Sequence, residues 1–220
     1  MKDKLMTALL GVAVAFFILT FSIGLPIYFR PFYYMQIEPL GVEEMSGYTK
    51  EEIIDAYDEM LDYCTLPWAK FGTGNMKYSE DGASHFADCK GLFILNGSVL
   101  LASSLLLIAL IIMIKKRVFI PRDPLGFNVT FFSGVGLLGT ISLIAGLAAT
   151  DFGRAFEIFH KVMFPGKDNW LFDPRTDEII LALPIDFFMS CAVMIAVSMI
   201  LLSGACIAFG IITKVKRKKM

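Results

Sequence analysis

The sequence contains few of the residues that most often carry catalysis or bind metals. Only two histidines, two tryptophans and four cysteines occur among its 220 residues. It has no G-x-S-x-G motif, which argues against a serine hydrolase built on a nucleophile elbow. It also has no H-E-x-x-H motif, the helical signature of many zinc proteases. Any chemistry performed by this chain must therefore depend on a small number of polar side chains.

Long polar stretches are also scarce, because 56% of the residues are hydrophobic and the mean hydropathy is +0.64. The apolar residues form four blocks, at residues 7–28, 92–114, 129–149 and 179–212. Each block supplies the roughly 20 residues that a helix needs to cross the hydrocarbon. The first is too long for a signal peptide and lacks its cleavage site. The blocks predict an all-α membrane protein with four transmembrane helices, forming a single membrane domain over residues 1–220.

The net charge of −1 conceals an uneven distribution of charge along the chain. Three short pieces, residues 1–4, 115–123 and 214–220, hold 11 of the 20 basic residues and only two acids. Lys and Arg concentrated in short loops indicate the cytoplasmic side of a membrane protein. We therefore expect both termini in the cytoplasm, and residues 29–91 and 150–178 on the extracytoplasmic side. These basic residues flank the spans and are not interleaved with aromatic residues, so no nucleic-acid partner is expected.

The first extracytoplasmic segment combines a helical pattern with turn signals. Thr49 followed by Glu52 is a capping-box pattern, and the apolar spacing of TKEEIIDAYDEMLDY predicts an acidic amphipathic helix. The glycine-containing stretch TLPWAKFGTGNMKYSEDGAS predicts a small β-hairpin or sheet at residues 65–84. Together they predict a small α+β cap. A disulfide between Cys64 and Cys89 is sterically conceivable, although nothing in their spacing requires it.

Both histidines lie in the extracytoplasmic segments, and each has a carboxylate three residues away. In SHFADCKGLF, a helix capped by Ser84 would place His85 and Asp88 on one face. In DFGRAFEIFHKVMF, Glu157 precedes His160 within a pattern that predicts an amphipathic helix in the membrane interface. A nearby carboxylate raises the basicity of imidazole and fixes its orientation, so either pair could act as a general base. A capped, solvated helix start is the plainer interpretation of the first pair.

The second extracytoplasmic segment leads into the fourth span through the residues WLFDP. Trp170 belongs to an aromatic pair expected at the depth of the lipid headgroups. Asp173 before Pro174 predicts the start of a helix, with Asp177 in the same first turn. This helix is expected to continue into the fourth span.

The fourth apolar block, residues 179–212, is too long for one straight crossing at about 1.5 Å per residue. Pro184 is therefore expected to mark a kink at the membrane surface. Asp186 lies just beyond it, and an acid at such depth usually needs a partner. Arg30 and Arg154 are the candidates for that partner.

The residues alone leave several chemistries open. Glu157 and His160 have the helical spacing of carboxylate-bridged metal sites, but such sites need a second pair of this kind, and His85 and Asp88 occur in reverse order. A cysteine nucleophile would lie in no recognisable signature. The two histidines could instead perform acid–base chemistry on an amphiphile reached from the bilayer, such as acyl transfer between lipid-linked groups. A non-catalytic membrane protein that binds lipids or partners and a metal-dependent membrane hydrolase are the alternatives.

Three stretches of the sequence resemble the bacterial lipoprotein intramolecular transacylase family, called Lit. They are RPFYY, HFADCKGLF and FEIFHKVMFPGKDNWLFDPRTDEIILALPIDFF, and the resemblance extends over essentially the whole chain. It implies an enzyme that moves the sn-2 acyl chain of a diacylglyceryl-modified N-terminal cysteine to the α-amino group of that cysteine, giving a lyso-form lipoprotein. It also implies that no soluble cofactor is used, and the residue spacing considered above predicts no metal site.

The resemblance further implies roles for individual residues. His85 and His160 would be the catalytic pair, without an assignment of which serves the amine and which the glycerol oxygen. The accompanying positions Asp88, Trp170, Asp173 and Asp177 would orient the histidines or shape the cleft, Arg30 and Arg154 would stabilise charge, and Cys89 would have no role. The expected partners are a diacylglyceryl lipoprotein and membrane lipids, with no obligate protein partner. The expected location is the bacterial plasma membrane, with the active site on its extracytoplasmic side.

Overall fold

The computed structural model of the chain describes residues 1–219, which are helical with connecting turns. These residues contain no β-strand, and besides the α-helices they form one short 3-10 helix, Pro124–Gly126. The α-helices are, in chain order, α1 (Lys2–Tyr28), α2 (Pro31–Tyr34), α3 (Val42–Ser46), α4 (Lys50–Thr65), α5 (Glu80–Lys115), α6 (Val129–Ala148), α7 (Phe152–Met163), α8 (Ile179–Ala182) and α9 (Ile185–Lys218).

Four of these helices, α1, α5, α6 and α9, are long and apolar enough to cross a membrane. The predicted all-α fold with four candidate transmembrane helices is therefore confirmed. The helix α5 has 36 residues, which corresponds to a length of about 54 Å. Because the hydrocarbon is only about 30 Å thick, α5 has several turns more than a crossing requires. His85 lies near the N-terminal end of this long helix.

The chain forms two compact units that are defined by their internal contacts. The first contains Met1–Gly24, Gly97–Gly146 and the chain from Met194 onward, and the second contains Leu25–Asn96 and Leu147–Val193. Both histidines belong to the second unit. The expectation of one membrane domain over residues 1–220 stays a prediction.

The first unit is held together by apolar contacts between its helices. One buried cluster consists of Leu10, Ala13, Leu110 and Phe119, and another consists of Ile18, Ile141 and Met199. The hydroxyl of Ser133 on α6 donates a hydrogen bond of 2.8 Å to the carbonyl of Gly11 on α1. Because α1 and α6 are apolar over most of their length, this bond satisfies a polar group that would otherwise be unpaired among apolar side chains.

The second unit is organised around α4 and a cluster of aromatic rings. Thr49 and Glu52 form the predicted capping box, and the apolar face of α4 is buried. The ring of Tyr57 on α4 stacks on Tyr33 with ring centroids 3.9 Å apart, and the Tyr33 hydroxyl donates to the carbonyl of Ala182 at 2.7 Å. These contacts join α2 and α4 through aromatic rings and attach α8 to them through a hydrogen bond.

The predicted β-hairpin at residues 65–84 is wrong. This stretch bonds to α4 instead of pairing with itself: the backbone N–H of Gly74 donates to the Glu59 carboxylate at 2.7 Å. Gly74 has a left-handed φ of +57°, and a Cβ there would lie 3.3 Å from the backbone nitrogen of Ala56. Gly74 is thus required for close packing on α4 and not for a hairpin turn.

The helix α5 begins at Glu80, not at Ser84 as the cap pattern predicted. The Asp81–Gly82 pair at the end of the stretch predicted as a hairpin lies inside the helix. A Cβ on Gly82 would lie 2.1 Å from the carboxylate of Asp177, so only glycine leaves room for that side chain. The Ser79 hydroxyl accepts a hydrogen bond of 2.9 Å from the Gly82 backbone N–H and thereby satisfies the first turn.

The predicted helix start at Asp173–Pro174 is also wrong, because α8 begins at Ile179. The Asp173 side chain accepts hydrogen bonds from the backbone and guanidinium of Arg175, so it stabilises a local turn instead of capping a helix. The predicted interruption at Pro184 is confirmed, since α8 ends at Ala182 and α9 starts at Ile185.

The expected ion pair of Asp186 with an arginine is absent from the described residues. Asp186 is exposed, and Arg30 instead pairs with Asp58 and Asp62 on α4. Arg154 is exposed on α7.

Candidate active site

The structure brings the two histidines together, although α5 and α7 are far apart in the sequence. The ring centroids of His85 and His160 are 5.8 Å apart, and the rings are inclined by 34°. Only 6% of His85 and 7% of His160 is exposed. Buried imidazoles at this separation can exchange protons with one bound substrate or through one intervening group.

His160 has a defined tautomer when it is neutral. Its Nδ1 atom lies 2.7 Å from the carbonyl oxygen of Phe156, one turn earlier on α7. A carbonyl only accepts hydrogen bonds, so Nδ1 carries the proton and Nε2 keeps a free lone pair. Burial lowers the pKa of His160, and the bond to Phe156 opposes this in part. The imidazole is therefore neutral near pH 7 and available as a base.

Aromatic rings enclose His160 on several sides. The indole of Trp170 stacks on its ring with centroids 4.7 Å apart, and the ring of Phe156 lies 4.3 Å away. Phe164 is 5.9 Å from His160 and 4.9 Å from His85, so it contacts both imidazoles. These rings exclude water and strengthen the electrostatic interactions of any substrate group that binds among them.

His85 has one bonded and one unbonded ring nitrogen. Its Nε2 atom is 3.4 Å from the sulfur of Cys89, one turn later on α5. Its Nδ1 atom is buried and has no hydrogen-bond partner. Because buried polar atoms are nearly always hydrogen-bonded, this atom is available for a substrate group. Cys89 thus contacts a histidine, whereas the sequence assigned it no role, and both Cys89 and Cys64 are free thiols.

The carboxylates expected beside the histidines are engaged elsewhere. Asp88 accepts hydrogen bonds from Lys167 at 2.6 Å and from Asn169 at 3.2 Å. Glu157 is exposed and pairs with Lys161 at 2.6 Å. Within residues 1–219, no group of three or more His, Cys, Asp and Glu side chains is arranged to hold a metal ion.

A turn after α7 connects the two histidine-bearing helices. Lys167 and Asn169 bind Asp88 on α5, and Asn169 also donates to the Ser84 hydroxyl at 3.3 Å. The indole N–H of Trp170 donates to the Lys167 carbonyl at 3.1 Å. This network holds Trp170 against His160. Lys167 and Asn169 were not predicted as site residues, and their one signal in the sequence is that they are polar residues within a largely aromatic stretch.

The other sequence-predicted site residues have no hydrogen bond to, and no ring contact with, either histidine in the described part of the chain. Asp173 pairs with Arg175, which lowers the pKa of that carboxyl to about 2. Asp177 is buried and accepts hydrogen bonds from Ser79 and Thr176. The remaining two are arginines: Arg30 binds acidic residues of α4, and Arg154 contributes its backbone N–H to the Asp151 cap of α7.

One face of α7 is apolar and exposed. Its members are Ile158, Phe159, Val162 and Met163, each of them 41% to 63% exposed. The opposite side of the helix carries the buried His160. A short helix with this division matches the amphipathic helix predicted here, and such helices lie at membrane–water interfaces.

The four candidate transmembrane helices and the buried pair of imidazoles define a multi-pass membrane protein with a site for acid–base chemistry. Residues 8–188 match the family model described as "Lipoprotein intramolecular transacylase Lit". The chain belongs to this family. It is therefore an acyltransferase and not a non-catalytic lipid-binding protein.

Solved structures of a relative have the same fold. The membrane integral lipoprotein intramolecular transacylase Lit from Bacillus cereus matches with a TM-score of 0.86 and 26% sequence identity, covering 100% of this chain and 98% of that chain. Structures of that protein with an H85R and an H85A mutation match with TM-scores of 0.77 and 0.78 and identities of 26% and 25%. They cover 100% of this chain and 94% and 96% of theirs. A search of curated proteins gave no match.

Proposed function

We propose that this transacylase moves the sn-2 acyl chain of a diacylglyceryl-modified N-terminal cysteine to the α-amino group of the same cysteine. The product is a lyso-form, N-acylated lipoprotein. The proposal rests on membership of the family, and the observation that carries its mechanism is the meeting of the buried His85 and His160. In the Bacillus cereus protein a histidine numbered 85 was substituted in two structures, and this chain has a histidine at the same number.

The reaction is balanced without any further reactant. The amine nitrogen attacks the ester carbonyl, so a C–N bond forms and the bond from the carbonyl carbon to the glycerol oxygen breaks. The proton lost by the amine is returned to the glycerol oxygen. Converting an ester to an amide is favourable, and donor and acceptor belong to one molecule, so the protein chiefly supplies orientation and proton transfer.

The two imidazoles are proposed to transfer that proton. A neutral imidazole can accept it from the attacking nitrogen and then deliver it to the departing oxygen, which is general base and general acid catalysis in sequence. The low pKa of His160 and its free Nε2 lone pair suit it for this transfer. The phenylalanine and tryptophan rings around it keep bulk water, the competing nucleophile, away from the ester.

The acyl chains are proposed to reach the site from the outer leaflet of the plasma membrane. The exposed apolar face of α7 gives a surface compatible with lipid chains beside the buried His160. The charge distribution of the chain favours an extracytoplasmic position for this helix. Asp88 and Trp170 are proposed to support catalysis indirectly, by holding the turn after α7 and covering His160. Asp173, Asp177 and Arg30 are proposed to stabilise the surrounding structure.

The variants His85→Ala and His160→Ala test the mechanism. We expect each to lower the conversion of a diacylglyceryl lipoprotein to the lyso form by at least about a hundredfold, the usual contribution of general acid–base catalysis. Conversion is read by mass spectrometry of the lipoprotein N-terminus. Lys161→Ala, on the exposed side of the same helix as His160, is the matched control and should convert normally. Normal conversion by both histidine variants would refute the mechanism.

A further inference from the structure

Two buried polar atoms in the second unit lack a hydrogen-bond partner among the described residues, and both belong to the active site. They are Nδ1 of His85 and Oδ1 of Asn169. A buried polar atom without a partner has lost its bonds to water without replacement and is unfavourable. Two of them in one site indicate a ligand that supplies hydrogen-bond donors.

The orientation of the Asn169 side chain is determined by its neighbours. Its Nδ2 atom lies 3.2 Å from the carboxylate of Asp88, which can only accept hydrogen bonds, and 3.3 Å from the Ser84 hydroxyl. The nitrogen must therefore face α5, and Oδ1 is the atom left unpaired. Ser84 and Asp88 are one turn apart on α5, and His85 belongs to the same turn and lies three residues before Asp88. The Asn169 amide is therefore bonded to the turn of α5 that carries His85.

The Nε2 atom of His85 lies 3.4 Å from the Cys89 sulfur, and the neutral ring has one tautomer in which Nε2 carries the proton and directs it at that sulfur. In this tautomer Nδ1 keeps its lone pair. Both unpaired atoms are then hydrogen-bond acceptors. The missing ligand must present two donors on one small group.

We propose that Asn169 Oδ1 and His85 Nδ1 together bind the α-amine of the N-terminal cysteine of the substrate. A neutral primary amine has two N–H bonds and one lone pair. When two acceptors hold both N–H bonds, the lone pair is directed away from the protein and towards the ester carbonyl. This inference rests on the proposed function and makes Asn169 a substrate-binding residue.

Binding of two non-reactive ligands tests the proposal. Both are lipopeptides in which alkyl chains are attached to the glycerol through ether bonds, so no acyl group can be transferred. One has a free α-amine and the other is N-acetylated. We expect the wild-type protein to prefer the free amine, and Asn169→Ala to weaken binding of that ligand by about tenfold, the usual effect of one hydrogen bond of this kind. Binding of the N-acetylated ligand should be unchanged.

The control is Ser84→Ala, which removes one acceptor for the Asn169 nitrogen but leaves Oδ1 in place, and it should keep the preference of the wild type. If Asn169→Ala unfolds, Asn169→Leu, which has nearly the same shape but no hydrogen-bond acceptor, should show the same selective loss. Equal weakening of both ligands would show that Asn169 only holds the turn, and an unchanged preference would show that it does not contact the amine. Either result overturns the inference.

The proposed function is checked separately, by conversion of the ester substrate with the wild-type protein. If the wild type converts the ester substrate but Asn169→Ala keeps the wild-type preference, this inference is wrong and the proposed function is still supported. If the wild type does not convert the ester substrate, the proposed function is wrong.

Discussion

At the scale of single residues, the imidazole of His160 is controlled by two separate interactions. The carbonyl of Phe156 determines which nitrogen carries the proton, and burial determines how readily the second proton is taken up. The first keeps the Nε2 lone pair available, and the second keeps the ring neutral at pH 7. Trp170 contributes to burial because its indole covers one face of the ring.

The lowered pKa of His160 predicts how the rate depends on pH. Protonation removes the Nε2 lone pair, so the rate should be constant near neutral pH and fall on the acid side, with a midpoint below the ordinary value of 6.5. Trp170→Ala should expose the ring and move this midpoint upward, because burial is what lowers the pKa of His160. Trp170→Phe keeps an aromatic cover and should leave it in place. The measurement is a pH profile of kcat at saturating substrate, because kcat/KM would also report the ionisation of the free substrate amine. A wild-type midpoint above 6.5 would contradict this account.

The same shift affects stability in the same direction. Because the folded pKa of His160 is lower than the unfolded one, the unfolded chain takes up a proton first as the pH falls below about 6.5. Its contribution to stability is therefore complete above the unfolded pKa and decreases as the pH falls through the interval down to the folded pKa. Acid is thus expected to destabilise the fold and to protonate the proposed catalytic base over the same pH interval.

The contacts of single residues across the site could be predicted only in part. The histidines were identifiable because a hydrophobic chain has few reasons to keep imidazoles in two amphipathic segments. The contact of Asn169 with Ser84 and Asp88 could not be identified, because it joins residues about 80 positions apart and leaves no local spacing pattern. The predicted pairing of Asp88 with His85 was wrong for the same reason, since Asp88 accepts a hydrogen bond from the distant Lys167 and none from His85.

At the scale of secondary-structure elements, two adjacent acids join segments that are distant in the sequence. Asp177 accepts hydrogen bonds from the backbone N–H and hydroxyl of Ser79, at the start of α5. Glu178 accepts from the backbone N–H of Lys77 at 2.8 Å and the Tyr48 hydroxyl at 2.6 Å, which lowers its pKa to about 2. The N-terminal end of α5, and with it His85, is positioned by these bonds.

Removing Asp177 is therefore expected to destabilise the protein. Asp177→Ala leaves the Ser79 donors without their acceptor and should lower stability by about 1–3 kcal/mol. For a chain of this size, each 1 kcal/mol corresponds to about 2–4 °C in the unfolding midpoint. Asp173→Ala, four residues earlier, removes an ion pair with the exposed Arg175 and is the matched control, with little expected change. Thermal unfolding in detergent measures both, and equal midpoints would show that Asp177 does not support α5.

The elements themselves were predictable where one local pattern was sufficient. The capping box and apolar face of α4 and the interruption at Pro184 depend on neighbouring residues only, and both are present. The cap pattern at Ser84 predicted a start of α5 that is several residues too late. Glycine is common in turns, but Gly82 lies inside α5 and leaves space for Asp177. Such a requirement arises from tertiary packing, which overrides local propensity.

At the scale of the whole molecule, the three basic pieces of the chain contact one another within the first unit. The amine of Lys2 donates to the carbonyl of Val118 at 2.9 Å. Asp123, one of the two acids in these pieces, forms an ion pair with Arg217, and the pieces together still carry nine more basic than acidic residues, 11 against two. The pieces are thus close together at the ends of apolar helices, as expected if they face the same side of a membrane.

This arrangement predicts the orientation of the protein in the membrane. Clustered positive charge is retained in the cytoplasm, so the termini should be inside and the segment between α4 and α5 outside. A cysteine introduced as Lys70→Cys should react with a membrane-impermeant maleimide in intact cells, whereas Lys218→Cys should react only after permeabilisation. The unmodified chain is the control, because Cys64 is buried and its other thiols are partly covered. Reaction of Lys218→Cys, but not Lys70→Cys, in intact cells would place the segment that leads into the His85 helix in the cytoplasm, which is incompatible with a substrate in the outer leaflet.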